Sequence, residues 1–234
     1  MAQSPVTYYH IANYYHRANK YQYSTLELIS SIKQRGGRET STHHIGRRGN
    51  ITYYGAKMTT GTQLQAGYSF YYMRRSKRGH NKGEDDDWTD AVKPIGTART
   101  IEEFWTIYDY IVRPDALPST TDYHFFREGI KPTWEDPANS AGGKWTVRLP
   151  KKGLLGARYW EEVILALLGG QFVGIPDGEI TGAVISCRDR EDVLSVWTKS
   201  GGNARMVNKV KEAMRRLLRL PNHVTLHYHN HPRT

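Results

Sequence analysis

The order of strand-like and helix-like segments is the feature that most constrains the fold of this chain. Short segments rich in aromatic and β-branched residues, or alternating apolar and polar ones, are typical of strands, and longer ones with apolar residues at helical spacing are typical of helices. The strand-like segments are 67–73, 144–149, 182–188, 192–197 and 224–229, and the helix-like segments are 101–111, 158–168 and 203–220. Because this order has no regular strand–helix–strand rhythm, we expect an α+β fold in which helices cover one face of a sheet and leave the other face free.

The first helix has clear boundaries in the sequence. Thr100 and Glu103 form the pattern of a capping box, in which two side chains satisfy backbone N–H groups at the helix N-terminus. Apolar residues then recur at helical spacing up to Ile111, and Pro114 prevents the helix from continuing. We predict a further helical turn within 121–127.

Charge is distributed unevenly along the 234 residues. The formal net charge is +10, and residues 1–66 contribute +6 of it, from eight lysines and arginines against two glutamates. This segment holds eight of the sixteen tyrosines and shows little apolar periodicity apart from a short helix-like stretch at 24–32. It is predicted to be a largely disordered, basic, Tyr-rich tail, and residues 67–234 are predicted to form one domain. The charge favours a polyanionic partner such as RNA.

Cysteine content and hydropathy indicate the compartment. Cys187 is the only cysteine, so no internal disulfide can form and a reducing environment is expected. No apolar stretch approaches the ~20 residues that span a bilayer, and the N-terminus lacks the apolar core of a signal peptide. We therefore expect a soluble cytosolic or nuclear protein with no membrane partner, and of the two compartments we predict the cytoplasm. We also expect no cofactor and no metal.

The segment Gly129–Asp136 places Trp134 directly beside Glu135. A tryptophan face attracts a flat cation, and a neighbouring carboxylate can accept two hydrogen bonds from the edge of the same ring. N7-methylguanine is a base that is positively charged and donates two hydrogen bonds at one edge. A single tryptophan in a globular chain is more often a core residue, as we predict for Trp145 and Trp160. Trp134 and Glu135 therefore indicate a binding site only in combination with the motifs around them.

Several motifs occur in order with consistent spacing. They are TIEEFWTIY at 100–108, GIKPTWED at 129–136, GGKW at 142–145, YWEEVILALLG at 159–169, GAVISCR at 182–188 and VW at 196–197. Together they resemble the eukaryotic translation initiation factor 4E family of mRNA cap-binding proteins over about residues 64–228, and most closely its second class, the 4E-homologous proteins. The resemblance implies a cap-binding domain over 67–234, with a curved antiparallel sheet and three main helices on its convex face.

The same resemblance implies a site for the 7-methylguanosine cap on the concave face. Trp88 and Trp134 would sandwich the methylated base, Glu135 would accept hydrogen bonds from its N1 and N2 hydrogens, and Trp197 would touch the N7 methyl group. Cation–π attraction of about 1–2 kcal/mol per ring favours the methylated base over plain guanine. This binding chemistry needs no nucleophile, so the chain is predicted not to be an enzyme.

Lys144 and Arg188 are the implied contacts to the phosphate bridge. Lys144 stands where initiating members carry Arg, and Val193 stands where they carry a phosphate-binding Lys. Tyr68 also resembles the second, repressor-like class, whereas Trp88 resembles the initiating members. Two functions therefore remain: a repressor-type or specialised adaptor that regulates translation at the cap, and a true initiation subunit that recruits a scaffold protein.

The convex face is implied to bind a helical peptide of a scaffold or repressor protein with a Tyr-x4-Leu-Φ pattern, in which Φ is apolar. The implied contacts are Leu64, Trp105, Glu162 and Leu165. Because Phe104 and Trp105 are adjacent, we expect one of them to face outward.

Two other functions compete with cap binding. His229 and His231 fit a His-x-His-Pro pattern of zinc isopeptidases and a His-Asn-His pattern of nucleases, yet a catalytic zinc needs a third ligand and a general base. The basic tail suggests an RNA binder that does not read the cap. Such binding would fall steeply with salt and ignore N7 methylation.

Overall fold

The computed structural model describes residues 61–74, 91–151 and 155–232. Trp88 and nearly all of the predicted tail, residues 1–60, lie outside these ranges. The described strands are β1 (Gln63–Arg74), β2 (Val92–Thr100), β3 (Thr121–Arg127), β4 (Gly143–Pro150), β5 (Ile180–Cys187), β6 (Glu191–Thr198) and β7 (His227–Asn230). The described helices are α1 (Ile101–Tyr108), α2 (Leu155–Leu168) and α3 (Ala204–Leu217), with a short 3-10 helix at Pro114–Ala116.

The strands form one seven-stranded sheet in the order β2-β1-β3-β5-β6-β4-β7. Every pairing is antiparallel. The curved antiparallel sheet with three helices confirms the predicted fold class.

The two faces of the sheet are built differently because successive strand residues point to opposite sides. Phe125 in β3 belongs to a large core cluster that includes buried residues of all three helices. The next residue, Phe126, belongs to a separate small cluster with Val184 and Trp197. We call the first side the helix face and the second the open face. Trp145 and Trp160 lie in the cluster of the helix face, as predicted.

The capping box at the start of α1 is confirmed. The Glu103 backbone N–H donates to Thr100 Oγ1 over 3.1 Å, and the Thr100 N–H donates to a Glu103 carboxylate oxygen over 3.2 Å. The helix ends at Tyr108, earlier than predicted, and the chain continues as a turn in which the Ile111 N–H donates to the Ile107 carbonyl over 3.2 Å.

Further expectations about local structure were wrong, and one strand was missed. Residues 121–127 form strand β3 and not a helical turn: β3 lies between β1 and β5 with nearly every side chain buried, so the alternation that marks a strand is hidden. Strand β1 begins at Gln63, before the predicted Gly67. Strand β2 was not predicted at all, since Pro94 and Gly96 lower strand propensity; Pro94 is tolerated because β2 is an edge strand.

The expectation that either Phe104 or Trp105 faces outward was also wrong. Phe104 is 0% exposed and Trp105 is 1% exposed. The reason is the spacing of the buried residues of α1, which are Ile101, Phe104, Trp105 and Tyr108. These positions lie on one side of a helix, so both aromatic residues belong to the same buried stripe.

In the described ranges, no helix has the length and apolar character that crossing a bilayer requires.

Candidate functional site

The open face carries a small aromatic cluster at one end. Phe126 and Trp197 are in edge contact, with ring centroids 5.2 Å apart. Trp134 and Ile130 are partly buried and pack against this cluster. The structure therefore places Trp134 and Trp197 together on the open face, with part of Trp134 still accessible. Glu135, the next residue, is exposed.

The loop that presents Trp134 is held by its own polar groups. It leaves β3 through Gly129, whose φ of +86° is in the left-handed region that favours glycine. The Asp136 carboxylate accepts from the backbone N–H groups of Lys131 and Ala138 over 2.8 and 2.9 Å. These hydrogen bonds hold the backbone of the loop that carries Trp134 and Glu135.

Asn139 stabilises the same loop through hydrogen bonds of its buried side chain. Its side-chain amide is buried and donates to the carbonyls of Lys131 and Thr133 over 3.0 and 2.8 Å. Both carbonyls belong to the three residues before Trp134, so the amide fixes the backbone that orients the indole. Asn139 could not be identified beforehand, because nothing in the sequence indicates which carbonyls its amide reaches.

His231 connects the C-terminal end of the described chain to this loop. Its Nδ1 lies 2.9 Å from the Asn139 carbonyl oxygen, which only accepts, so Nδ1 carries the proton and donates. The ring also packs on Trp197, with centroids 4.3 Å apart. Burial lowers the pKa of His231, and the nearby Lys144 lowers it further, while the bond to Asn139 opposes the shift. His231 therefore acts as a neutral structural support for the site.

Lys144 lies directly opposite Trp197 in the pairing of β4 with β6. Its ammonium nitrogen is 5.4 Å from the Trp197 ring centroid, within the range of a cation–π contact. The predicted site residues Trp134, Lys144 and Trp197 are thus close together.

Arg188 lies further along the open face. Its Nη1 contacts the buried Asp122 carboxylate over 2.5 Å and donates to the Cys187 carbonyl over 3.0 Å. Among the described residues, Nε and Nη2 of Arg188 have no hydrogen-bond partner, so the guanidinium is oriented by Asp122 and keeps donors for an anion. Gly182 is the β5 residue that faces Trp197. Arg188 follows roughly six residues later, or about 20 Å along the strand.

Arg148 is a third cation on the open face and was not identified from the sequence. It shares the strand parity of Lys144 in β4, lies opposite Val193, and has a side chain that is 66% exposed. It forms an exposed ion pair with Glu191. The alternation of Lys144, Thr146 and Arg148 in the predicted strand was the signal that could have revealed it. Lys144, Arg148 and Arg188 form a row that we call the cation row.

The residues implied for partner binding lie at the helix face. Leu64 is 9% exposed and Trp105 is 1% exposed. Glu162 pairs with Arg158 over 3.0 Å, with 31% of its side chain exposed, and Leu165 is partly buried against the core. Among these four residues, Glu162 and Leu165 are the most accessible.

The histidines of the zinc hypothesis and Cys187 are the remaining residues to place. In the described ranges, no group of three or more His, Cys, Asp or Glu residues could hold a metal ion. The Cys187 thiol is buried and donates to the Pro114 carbonyl over 3.3 Å. Burial raises the pKa of Cys187 to about 12, so the thiol is unreactive at neutral pH.

Comparisons with known proteins agree with this geometry. Residues 63–234 match the family described as "Eukaryotic initiation factor 4E". Similar relatives include eukaryotic translation initiation factor 4E-4 of Caenorhabditis elegans, 40% identical over 72% of this chain and 76% of that protein. They also include initiation factor NCBP of Triticum aestivum, 39% identical over 69% of this chain and 66% of that protein.

Two solved structures share the fold. One is Ascaris suum eIF4E-3 in complex with an m2,2,7G cap, with a TM-score of 0.66, 31% identity and coverage of 74% of this chain and 92% of that one. The other is C. elegans eIF4E-3 in complex with the 4E-binding protein Mextli, with a TM-score of 0.66, 31% identity and coverage of 74% and 94%. The family match, the relatives and the shared sheet with its open-face tryptophans lead to one conclusion: this chain belongs to the eukaryotic initiation factor 4E family.

Proposed function

We propose that this protein binds the 7-methylguanosine cap of mRNA in the cytoplasm and regulates translation. The observation that carries the proposal is the position of Trp134, partly accessible, beside Trp197 on the open face, with the exposed Glu135 next to it. The cap complex of A. suum eIF4E-3 supports it, since that protein shares this fold. The proposed activity is binding and not catalysis.

The base is recognised through its charge and its edge. Trp134 stacks on one side of the methylated guanine, and Trp88, from outside the described residues, stacks on the other. Glu135 accepts from the N1 and N2 hydrogens of the base, and Trp197 faces the methyl group. Each indole adds about 1–2 kcal/mol of cation–π attraction that plain guanine lacks.

The phosphate bridge follows the cation row. Lys144 is nearest to Trp197, and the oriented guanidinium of Arg188 is furthest from it. Arg148 lies between them, directly opposite Val193. Val193 replaces a phosphate-binding Lys of the initiating members, and the Arg148 guanidinium supplies a positive charge at the same place. A guanidinium binds two phosphate oxygens at once, which a Lys ammonium does less well. We therefore include Arg148 in the proposed site.

Titration of tryptophan fluorescence tests the proposal. We expect 7-methyl-GTP to quench emission with an affinity at least tenfold tighter than GTP, because only the methylated base carries the ring charge. Trp134→Leu is the matched control and should remove the preference. Equal affinity for the two nucleotides, with both falling steeply as salt rises, would instead favour an RNA binder that does not read the cap.

We further propose that the protein is a repressor-type or specialised adaptor and not a general initiation subunit. Val193 and Lys144 support this proposal, since both should weaken the binding of the cap phosphates. Tyr68 contributes less than expected: it is 4% exposed and stacks on Phe125 on the helix face, away from the cap site. Arg148 weighs against a large loss of affinity.

Pull-down of the full chain with a scaffold peptide and with a repressor peptide separates the two roles. The adaptor proposal predicts tighter retention of the repressor peptide. Tight scaffold binding together with rescue of cap-dependent translation would favour the alternative, a true initiation subunit. Glu162→Arg is a useful control for either peptide, because this partly exposed side chain lies on the implied partner surface.

A further inference from the structure

We propose that residues 23–33 of this chain's own tail form a helix that docks on the outer surface of α1 and α2 and competes there with partner proteins. The inference rests on the proposed function, because this surface is the partner-binding surface of that proposal. When no partner protein is bound, the surface is occupied by residues 23–33 of the same chain.

The segment has the sequence of a short amphipathic helix. Ser24 and Glu27 have the sequence pattern of a capping box, and a Gly pair at 36–37 ends the helical pattern. On a helical wheel, Leu26, Leu28, Ile29 and Ile32 lie on one side, and Tyr23 lies at its edge, one turn before Leu26. Tyr23, Leu28 and Ile29 also fit the Tyr-x4-Leu-Φ pattern expected of partner peptides. Helices of fewer than about 12 residues are marginal in water, so this stripe needs a surface to pack on.

Charge favours α1 and α2 over α3 as that surface. Helices α1 and α2 together carry four glutamates and one arginine, a formal charge of −3. Helix α3 carries five lysines and arginines and one glutamate, a formal charge of +4. Residues 17–38 hold five lysines and arginines and one glutamate, also +4. The tail segment is therefore attracted to the acidic helix pair and repelled by α3.

The tail joins the fold at this same surface. The backbone N–H of Thr62 donates to a carboxylate oxygen of Glu102 in the first turn of α1 over 2.8 Å, and the Ile101 N–H donates to the Thr62 carbonyl over 2.9 Å. A Gly/Ser-type linker as long as the separation between residues 33 and 61 would span roughly 30 Å, more than the length of α2 at about 21 Å. A tethered helix reaches the surface at an effective concentration of about 1 mM.

Accessible apolar side chains are available at this surface. Leu165 of α2 is only partly buried. Just beyond α1, Tyr110 is 75% exposed and Val112 is 52% exposed. These side chains offer a place for the apolar stripe, while the neighbouring glutamates face the basic residues that flank it.

Competition with an added peptide tests the proposal. The probe is a fluorescent synthetic peptide of residues 20–36 of this chain, titrated with the full-length protein and with the double variant Leu28→Ala, Ile29→Ala. The tethered segment should block the peptide in the wild type, so we expect the double variant to bind it at least tenfold more tightly. Equal affinity, or no binding to the double variant, overturns the proposal.

Two controls locate the effect. Ser31 lies opposite the apolar stripe on a helical wheel, so Ser31→Ala should bind the peptide as the wild type does. Tighter peptide binding by this variant would contradict docking through the stripe. Adding Glu162→Arg to the double variant should weaken peptide binding at least threefold, and unchanged binding would contradict the assigned surface. Affinity for 7-methyl-GTP, measured on the same samples, reports on the proposed cap function separately: its loss would overturn that function without changing the peptide result.

Discussion

Phe125 and Phe126 are neighbours in β3, yet they belong to two regions of different purpose. Phe125 stacks on Tyr68 with ring centroids 4.8 Å apart, inside a cluster of 34 buried residues on the helix face. Phe126 meets Trp197 in a cluster of three buried residues on the open face. The helix face holds most of the buried apolar side chains, which stabilise the fold. The open face holds a small aromatic cluster and the cation row.

We infer from this difference that the stability of the fold and the proposed cap binding depend on opposite sides of one sheet. Removal of a ring from the helix face should leave a cavity, whereas removal of one from the proposed cap site should weaken cap binding. The predictions below test this separation.

Replacement of Phe125 by Ala should lower the free energy of unfolding by about 3–5 kcal/mol, because its ring is fully buried between β1 and α1. Urea denaturation measures the loss. Phe125→Leu is the matched control and should cost less. A loss under about 1 kcal/mol for the Ala variant would mean that the helix face is not the source of stability.

Trp134→Ala should have the opposite effects: a large loss of cap binding and a small loss of stability. Loss of stacking and of cation–π attraction should weaken 7-methyl-GTP binding by roughly 30-fold or more, equivalent to about 2 kcal/mol. The free energy of unfolding should change by only about 1 kcal/mol, since the indole is partly exposed. Fluorescence titration and urea denaturation of the same sample check both values. Unfolding of this variant would show that Trp134 is a core residue after all.

Glu135→Ala should weaken 7-methyl-GTP binding more than Lys144→Ala does. Loss of the carboxylate leaves two ring N–H donors unpaired against the protein, which costs about 1–3 kcal/mol. Loss of one flexible ammonium removes a partly screened charge from a row of three cations. Retention on cap-analogue resin at increasing salt compares the two variants, and equal retention would refute the ranking.

The smallest effect concerns pH. The folded protein holds the pKa of His231 below its ordinary value of about 6.5. The unfolded chain therefore binds more protons below about pH 6.5, so stability should fall as pH drops below that value and should not depend on His231 above it. His231→Phe should reduce this slope in thermal unfolding between pH 7 and 5. The control is His229→Phe, at an exposed position of β7 two residues earlier, and an equal loss of slope in this variant would contradict the assignment to His231.

Local chemistry could be predicted from the sequence because it depends on neighbours along the chain. The capping box of Thr100, the strand containing Lys144, and the adjacency of Trp134 and Glu135 all follow from short-range patterns. Strand β3 was missed because a central strand is buried on both faces and loses its alternation. Strand β2 was missed because an edge position tolerates Pro94.

The fold class, the helix start at Thr100 and the residue types suited to a charged, edge-donating base could be predicted from the sequence alone. The contact of His231 with Asn139 below the Trp134 loop and the position of Arg148 opposite Val193 emerged only in the folded protein. The physical reason is that these contacts join residues far apart in the chain. Strand register and helix packing bring them together, and neither can be read from local spacing.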